Sequence, residues 1–331
     1  MIQQIYITDY LSGAAAQPVA QVESLLNQCP SLQYASWQTV AQPPLNALFT
    51  QLVAPDSRAP HAPVSRVLSS RVEETVLPAF CLLPVHLAMR RDTFSLQSVV
   101  PLSSAIYQAL TTRLQAHFAA DFELHIDSGQ RYWWLQPLRQ VQAQCPWPQD
   151  CLFQQAMHWQ PQGPDAGLIR QWANEMQMLL HQLATEPSMA DWPGALNSLW
   201  FASVDPVPNW QHRFDLVAGQ GEVFAGLSAL QLPRCKATTL AEVMQLPRTQ
   251  ETLWITDELE TLDWPALNQA LQAGTLQALH IVIPFAERSV QIHYQKRPRW
   301  QFWRKPTTLN KLLQQLEQSL SSATEQAGFN P

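Results

Sequence analysis

Thr252–Phe285 reads TLWITDELETLDWPALNQALQAGTLQALHIVIPF, and its changes of texture decide the fold class. TLWITDEL and QALHIVIPF read as strands, each built on a short apolar run rich in β-branched and aromatic residues. Between them Trp264 to Leu271 reads as a helix. Strand, helix, strand is the texture of a sheet with parallel strands, so the core is expected to be α/β.

Working outward, Thr239 to Met244 reads as a further helix and LNSLWFA, starting at Leu196, as a further strand of the same kind. At the other end, Ile2 to Ile7 (IQQIYI) is another near-continuous strand, finishing in Thr8-Asp9 and followed by a helix from Pro18 to about Asn27 with Val19, Val22, Leu25 and Leu26 at helical spacing. Residues 53 to 64, VAPDSRAPHAPV, carry three prolines and no periodicity, which marks an exposed loop holding His61.

The middle differs. Leu77 to Leu96 predicts two short strands around a turn at Pro84, Ser103 to Phe118 an amphipathic helix with Ser103 as its N-cap, and FELHID with RYWWLQP a hairpin. After a proline-rich connector, Asp165 is placed as the cap of a helix whose apolar stripe is Leu168, Ile169, Trp172, Met176, Leu179, Leu180 and Leu183. The expected organisation is therefore residues 1–75 as the first part of an α/β core, 76–164 as an inserted α+β lobe, and 165–331 as the second part of the core. A cleft between core and lobe would be the natural place for a substrate or partner.

Composition excludes several functions. Charged residues are 14% of the chain, against roughly 25% in ordinary globular proteins, and the formal net charge is -6. An acidic chain lacks the positive field that double-stranded nucleic acid binding needs. No run reaches the roughly 20 apolar residues of a membrane span, and MIQQIYITDYL has no signal-peptide pattern, so a cytoplasmic protein without a transmembrane segment is expected. There is no Walker loop, dinucleotide glycine fingerprint, HExxH or GxSxG, and with 10 glycines in 331 residues no nucleotide cofactor is expected. Five scattered cysteines, Cys29, Cys81, Cys145, Cys151 and Cys235, include one close pair, Cys145 and Cys151, which leaves a disulfide or zinc site open beside packed free thiols.

Candidate functional residues fall into four groups. Asn174, Gln177 and His181 form a polar stripe on a helix at i, i+3 and i+7, with Glu175 beside them and Asn197 following; they line a candidate cleft or a solvated face. Asp257, Glu258, Glu260 and Asp263 follow a strand, where acids can bind a cation or hold a base, and can equally cap the helix that starts near Asp263. His86 with Arg90, Arg91 and Asp92 could hold a phosphate or be surface residues on a turn. KRPRWQFWRKP, Lys296 to Pro306, is the one basic run. Its Arg297, Arg299, Trp300, Trp303, Arg304 and Lys305 interleave cations with aromatics, suited to a protein partner, an anionic membrane or a single strand, or to a strand edge packed inward.

NEMQMLLHQ at Asn174–Gln182, LNSLW at Leu196–Trp200 and QFWRK at Gln301–Lys305, with PVHL at Pro84–Leu87 and RYWWL at Arg131–Leu135, resemble a bacterial family of RpfE-type regulatory proteins, often labelled cofactor-independent phosphoglycerate mutase. The resemblance runs from about Phe80 onward. It implies a remote relation to the alkaline phosphatase superfamily, and with it an alkaline-phosphatase-like parallel or mixed sheet flanked by helices with an inserted lobe. The archaeal-type mutases carry N-x-x-x-R-G-x-G after that lobe; Asn197–Val204 reads NSLWFASV, keeping the Asn without the Arg or the glycines. Two-metal phosphoryl transfer also needs Asp and His ligands at strand tips. Asp9 could be one, and Thr256-Asp257 resembles another, but no His follows it and HIVIPFAE holds no Asp-His pair. The resemblance thus implies a non-catalytic or degenerate relative acting as a regulatory or interaction protein with a protein partner. The alternative is a Mn- or Mg-dependent phosphomutase or phosphatase, its metal held around Asp9, Asp257 and Asp263.

Overall fold

The computed structural model describes residues 2–8, 18–40, 44–55, 64–70, 78–90, 93–127, 129–152, 159–189, 191–236, 238–245, 250–285, 288–296, 306–308, 310–312, 314 and 318. The chain divides into two compact units, one built from Met1–Asp9, Ala15–Val53 and Trp210–Pro331, the other from Tyr10–Ala14 and Ala54–Asn209. The first unit opens with β1 (Ile2–Ile7), α1 (Pro18–Gln28), β2 (Ser36–Val40) and α2 (Pro44–Leu52). The second contributes α3 (Val64–Ser69), β3 (Phe80–Arg90), β4 (Thr93–Val99), α4 (Ser104–His117), β5 (Phe122–Ile126), β6 (Trp133–Pro137), α5 (Ala166–Ala184) and β7 (Ser198–Ser203). The first then resumes with β8 (Leu216–Gly219), α6 (Glu222–Ala229), α7 (Leu240–Met244), β9 (Thr252–Thr256), α8 (Trp264–Ala273), β10 (Ala278–Phe285) and β11 (Arg288–Gln295).

The first unit is an α/β fold on a mixed six-stranded sheet in the order β2-β11-β10-β1-β9-β8. β8, β9, β1 and β10 run parallel, as the βαβ texture of Thr252–Phe285 requires, and the β10–β11 hairpin turns the sheet antiparallel through β2. Period-2 alternation sends Ile5, Ile7, Trp254, Ile281 and Ile283 to one face, against Val22 and Leu25 of α1 and Trp264, Leu267 and Leu271 of α8. α2 lies against β1 and β10, and α6 against β9. The Asp263 carboxylate caps α8 by accepting the Ala266 N–H at 3.0 Å, the helix-capping role open to it in the sequence.

The second unit is an antiparallel sheet with β3 at its centre. β3 pairs with β6 through Phe80–Leu82, with β4 through Val85–Arg90, and along its other edge with β7 through Phe80–Val85. α4 and α5 contribute Ile106, Leu110, Leu114, Ile169, Trp172, Met176 and Leu180 to the core under that sheet. Ser103 caps α4, accepting the Ile106 N–H. Tyr107 stacks on Trp133 with centroids 4.6 Å apart, and the Trp133 indole donates to Thr111 Oγ1 at 2.7 Å.

Four expectations need correcting. LNSLWFA is not a strand of the parallel sheet: β7 is antiparallel to β3, and it looks parallel in sequence because it is buried on both faces. α5 packs on β7, so helix and strand belong with the middle unit, whose boundary lies at Asn209 and not at residue 164. Pro84 makes no turn. It sits inside one continuous β3, where β6 has ended at Leu82 and β4 starts at Val85, so the missing N–H breaks no ladder bond, and its carbonyl accepts from Val100 at 2.8 Å. Asp165 stands at the N-cap position of α5 without a side-chain cap; its carboxylate accepts the Gln142 N–H at 2.7 Å instead.

Candidate functional site

In open α/β sheets ligands bind outside the carboxyl ends of the parallel strands. Here those ends carry Thr8 after β1, Gly219 at the end of β8 and Asp257 after β9. The Asp257 carboxylate is fully engaged: Oδ1 accepts the Thr8 hydroxyl at 2.9 Å, Oδ2 accepts the Glu222 N–H at 2.5 Å, and the Val223 N–H adds to the set. It fills the N-terminus of α6 as a bound anion would. Gly221, at φ +91°, is required there, because a Cβ would come within 2.4 Å of Asp257 Oδ2. Burial pushes the Asp257 carboxyl above its ordinary range, partly offset by those hydrogen bonds.

Asp263 is used as the α8 cap, while Glu258 and Glu260 are exposed. Asp9, like Arg297, Arg299, Trp300, Trp303, Arg304, Lys305, His61, Arg91 and Asp92, lies outside the described residues. Among the described residues no group of three His, Cys, Asp or Glu could hold a metal ion. Asp257 and Asp263, both committed to helix ends, do not fit the outward-facing ligand set of a two-metal site.

The second unit contains a cleft of about 260 Å³ between α5, β7, the β3–β4 hairpin and residues 159–161. Asn174 and Gln177 line it, and Gln177 Nε2 donates to the buried Ser198 Oγ at 3.1 Å. The other three residues of the candidate cleft are elsewhere engaged or exposed. Glu175 lies 3.5 Å from His117 and accepts from Gln171. His181 is exposed in the last turn of α5. Asn197 copies a ladder residue, accepting the Leu87 N–H and donating to the Leu87 carbonyl, both at 2.8 Å, which extends the β3–β7 pairing by one step.

Sequence reasoning missed Arg170, Trp159, Trp200 and Ser198, which share this cleft. One signal was present: Arg170, Ala173, Asn174 and Gln177 fall at i, i+3, i+4 and i+7 on one face of α5, so the polar stripe extends one turn toward the N-terminus. The two tryptophans come from distant segments and meet with ring centroids 4.7 Å apart, which no spacing rule reveals. His86, a candidate for phosphate binding, gives its Nδ1 to the Ala195 carbonyl at 2.7 Å. All five cysteines are free, Cys145 and Cys151 included, and burial pushes the thiols of Cys29 and Cys145 up to about 12, so they pack as small hydrophobes.

A second polar feature crosses the first sheet. Gln4, His280 and His293 stand opposite one another on β1, β10 and β11, and the two imidazoles stack with centroids 4.1 Å apart. Burial, then the neighbouring His293, pushes His280 down to about 4, and His280 Nε2 and Gln4 Oε1 are buried without a hydrogen-bond partner among the described residues. The unfolded chain, with a His near 6.5, takes up this proton first, so stability falls as pH drops from about 6.5 toward about 4. His280→Leu is expected to give a shallower fall of the thermal midpoint across that window; equal slopes for variant and parent would contradict the assignment.

No protein-family model matches the chain, and no curated protein matches it. Among solved structures it is similar to a cofactor-independent phosphoglycerate mutase from Thermoplasma acidophilum DSM 1728, at 12% identity over 89% of each chain with a TM-score of 0.36. A likeness at that level carries no argument about chemistry. No helix among the described residues is long and apolar enough to cross a membrane.

Proposed function

We propose that this chain is a non-catalytic relative of the cofactor-independent phosphoglycerate mutases, acting as a cytoplasmic regulatory or interaction protein of the RpfE type that its sequence resembles. The observation that supports this reading is the Asp257 carboxylate. Phosphoryl transfer on such a sheet needs a strand-tip carboxylate facing a metal and amide donors free for the phosphate. Asp257 instead spends its oxygens on Thr8 and on the α6 amides, which removes the ligand and the anion site together. In this reading the basic aromatic run of Arg297, Arg299, Trp300, Trp303, Arg304 and Lys305 is the contact for a protein partner, since desolvated Trp and Arg carry much of the energy of interfaces.

The test is turnover. Purified protein given a phosphoglycerate or p-nitrophenyl phosphate, with and without Mn or Mg, is expected to match the blank, and Asp257→Ala to change nothing except stability, lowered by about 1 kcal/mol through loss of a helix cap. A metal-dependent activity abolished by Asp257→Ala would instead establish the phosphomutase or phosphatase alternative.

A further inference from the structure

We infer that the cleft of the second unit is a binding site for a small planar molecule bearing a carboxylate. Its volume of about 260 Å³ lies near the small end of ligand sites. Trp159 and Trp200 form one wall, their rings inclined at 52°, and the Trp200 indole is anchored by donating to the Pro146 carbonyl at 2.9 Å. An anchored indole keeps its orientation without a ligand, which lowers the ordering cost of stacking a planar guest against it.

The polar groups give the guest its charge. Among the described residues Arg170 is the one charged residue lining the cleft, and it pairs with no described carboxylate. Ser198 is 3% exposed; it accepts from Gln177, while its own O–H meets no acceptor among the described residues. A buried donor left unsatisfied is costly, and an unpaired guanidinium takes a carboxylate through two parallel bonds. Asn174, one helical turn from Arg170 on the same face of α5, adds an amide to the same end. A single cation among the described lining residues suits a monoanion better than a phosphate dianion.

This inference goes beyond the regulatory reading and does not depend on it, since binding is measured without metal or phosphorylated substrate. The probes are 2-naphthoate and its neutral isostere 2-naphthamide, titrated calorimetrically into the full chain. Naphthoate is expected to bind with a Kd on the order of millimolar or tighter, and roughly tenfold tighter than the amide. Arg170→Gln, at an exposed position, should erase that preference and leave the thermal midpoint unchanged. Trp159→Ala should weaken both probes roughly tenfold, and Ala173→Leu, which fills the cleft from α5, should block both. Absence of naphthoate binding, equal affinity for the two probes, a preference that survives Arg170→Gln, or binding indifferent to both Trp159→Ala and Ala173→Leu would each overturn the assignment.

Discussion

Trp172→Ala is expected to destabilise the second unit by about 3–5 kcal/mol. Trp172 is 2% exposed. It meets Phe122 edge-on with centroids 5.3 Å apart and stacks against Phe201 at 6.3 Å, and its indole donates to Asp121 Oδ1 at 3.2 Å. Truncation therefore removes core volume on three sides and leaves the Asp121 acceptor without its donor. Urea unfolding measures the loss, and hydrogen exchange locates it in β3, β6 and β7. Trp172→Phe should recover most of the packing and none of the hydrogen bond. A loss below about 1 kcal/mol for the alanine variant, at the level of an ordinary substitution, would mean that α5 is not seated on this sheet as described.

Gly219→Ala is expected to be comparably damaging in the first unit, at about 3 kcal/mol or more. β8 and β9 approach so closely that an added Cβ would lie 2.0 Å from the Ile255 carbonyl oxygen and 2.9 Å from its carbon and nitrogen. The obstacle is the backbone of β9, so no rotamer change relieves it and the β8–β9 register must shift. That shift also displaces Gln220, whose N–H donates to Ile255 O at 3.0 Å. Gly167→Ala is the matched control: its Cβ meets nothing within 4 Å, and in α5 alanine should stabilise by about 0.5–1 kcal/mol. Exchange protection of β8 and β9 that survives Gly219→Ala would show that the strands can separate more cheaply than this.

The parts legible in the sequence are those where one local signal has one physical meaning. β9, α8 and β10 follow from buried apolar runs around a helical segment, and the caps at Ser103 and Asp263 follow from a hydroxyl or acid before a helix. β7 was misplaced because burial on both faces produces the same sequence in a parallel strand and in a central antiparallel one; the partner, not the residues, decides. Asp257 illustrates the limit on function. Its position after a strand was readable as a ligand or a cap, but the helix it caps starts at Glu222, a pairing set by the β8–β9 neighbourhood. The cleft was half legible: Asn174 and Gln177 lie on one stripe of α5, whereas Trp159 and Trp200 meet only through tertiary structure.

The order of strands in the first sheet also has a consequence for how the chain is made. β1 is made before the other described strands, yet its two neighbours are β9 and β10, which follow eight and nine strands later in the chain. The second unit, Tyr10–Ala14 and Ala54–Asn209, is complete long before either appears. Because domains fold as units during synthesis and long-range parallel pairing is slow, the middle of the chain folds while the N-terminal strand still waits with both edges open. Nascent chains stalled shortly after Asn209 should therefore be the most chaperone-dependent species this protein forms.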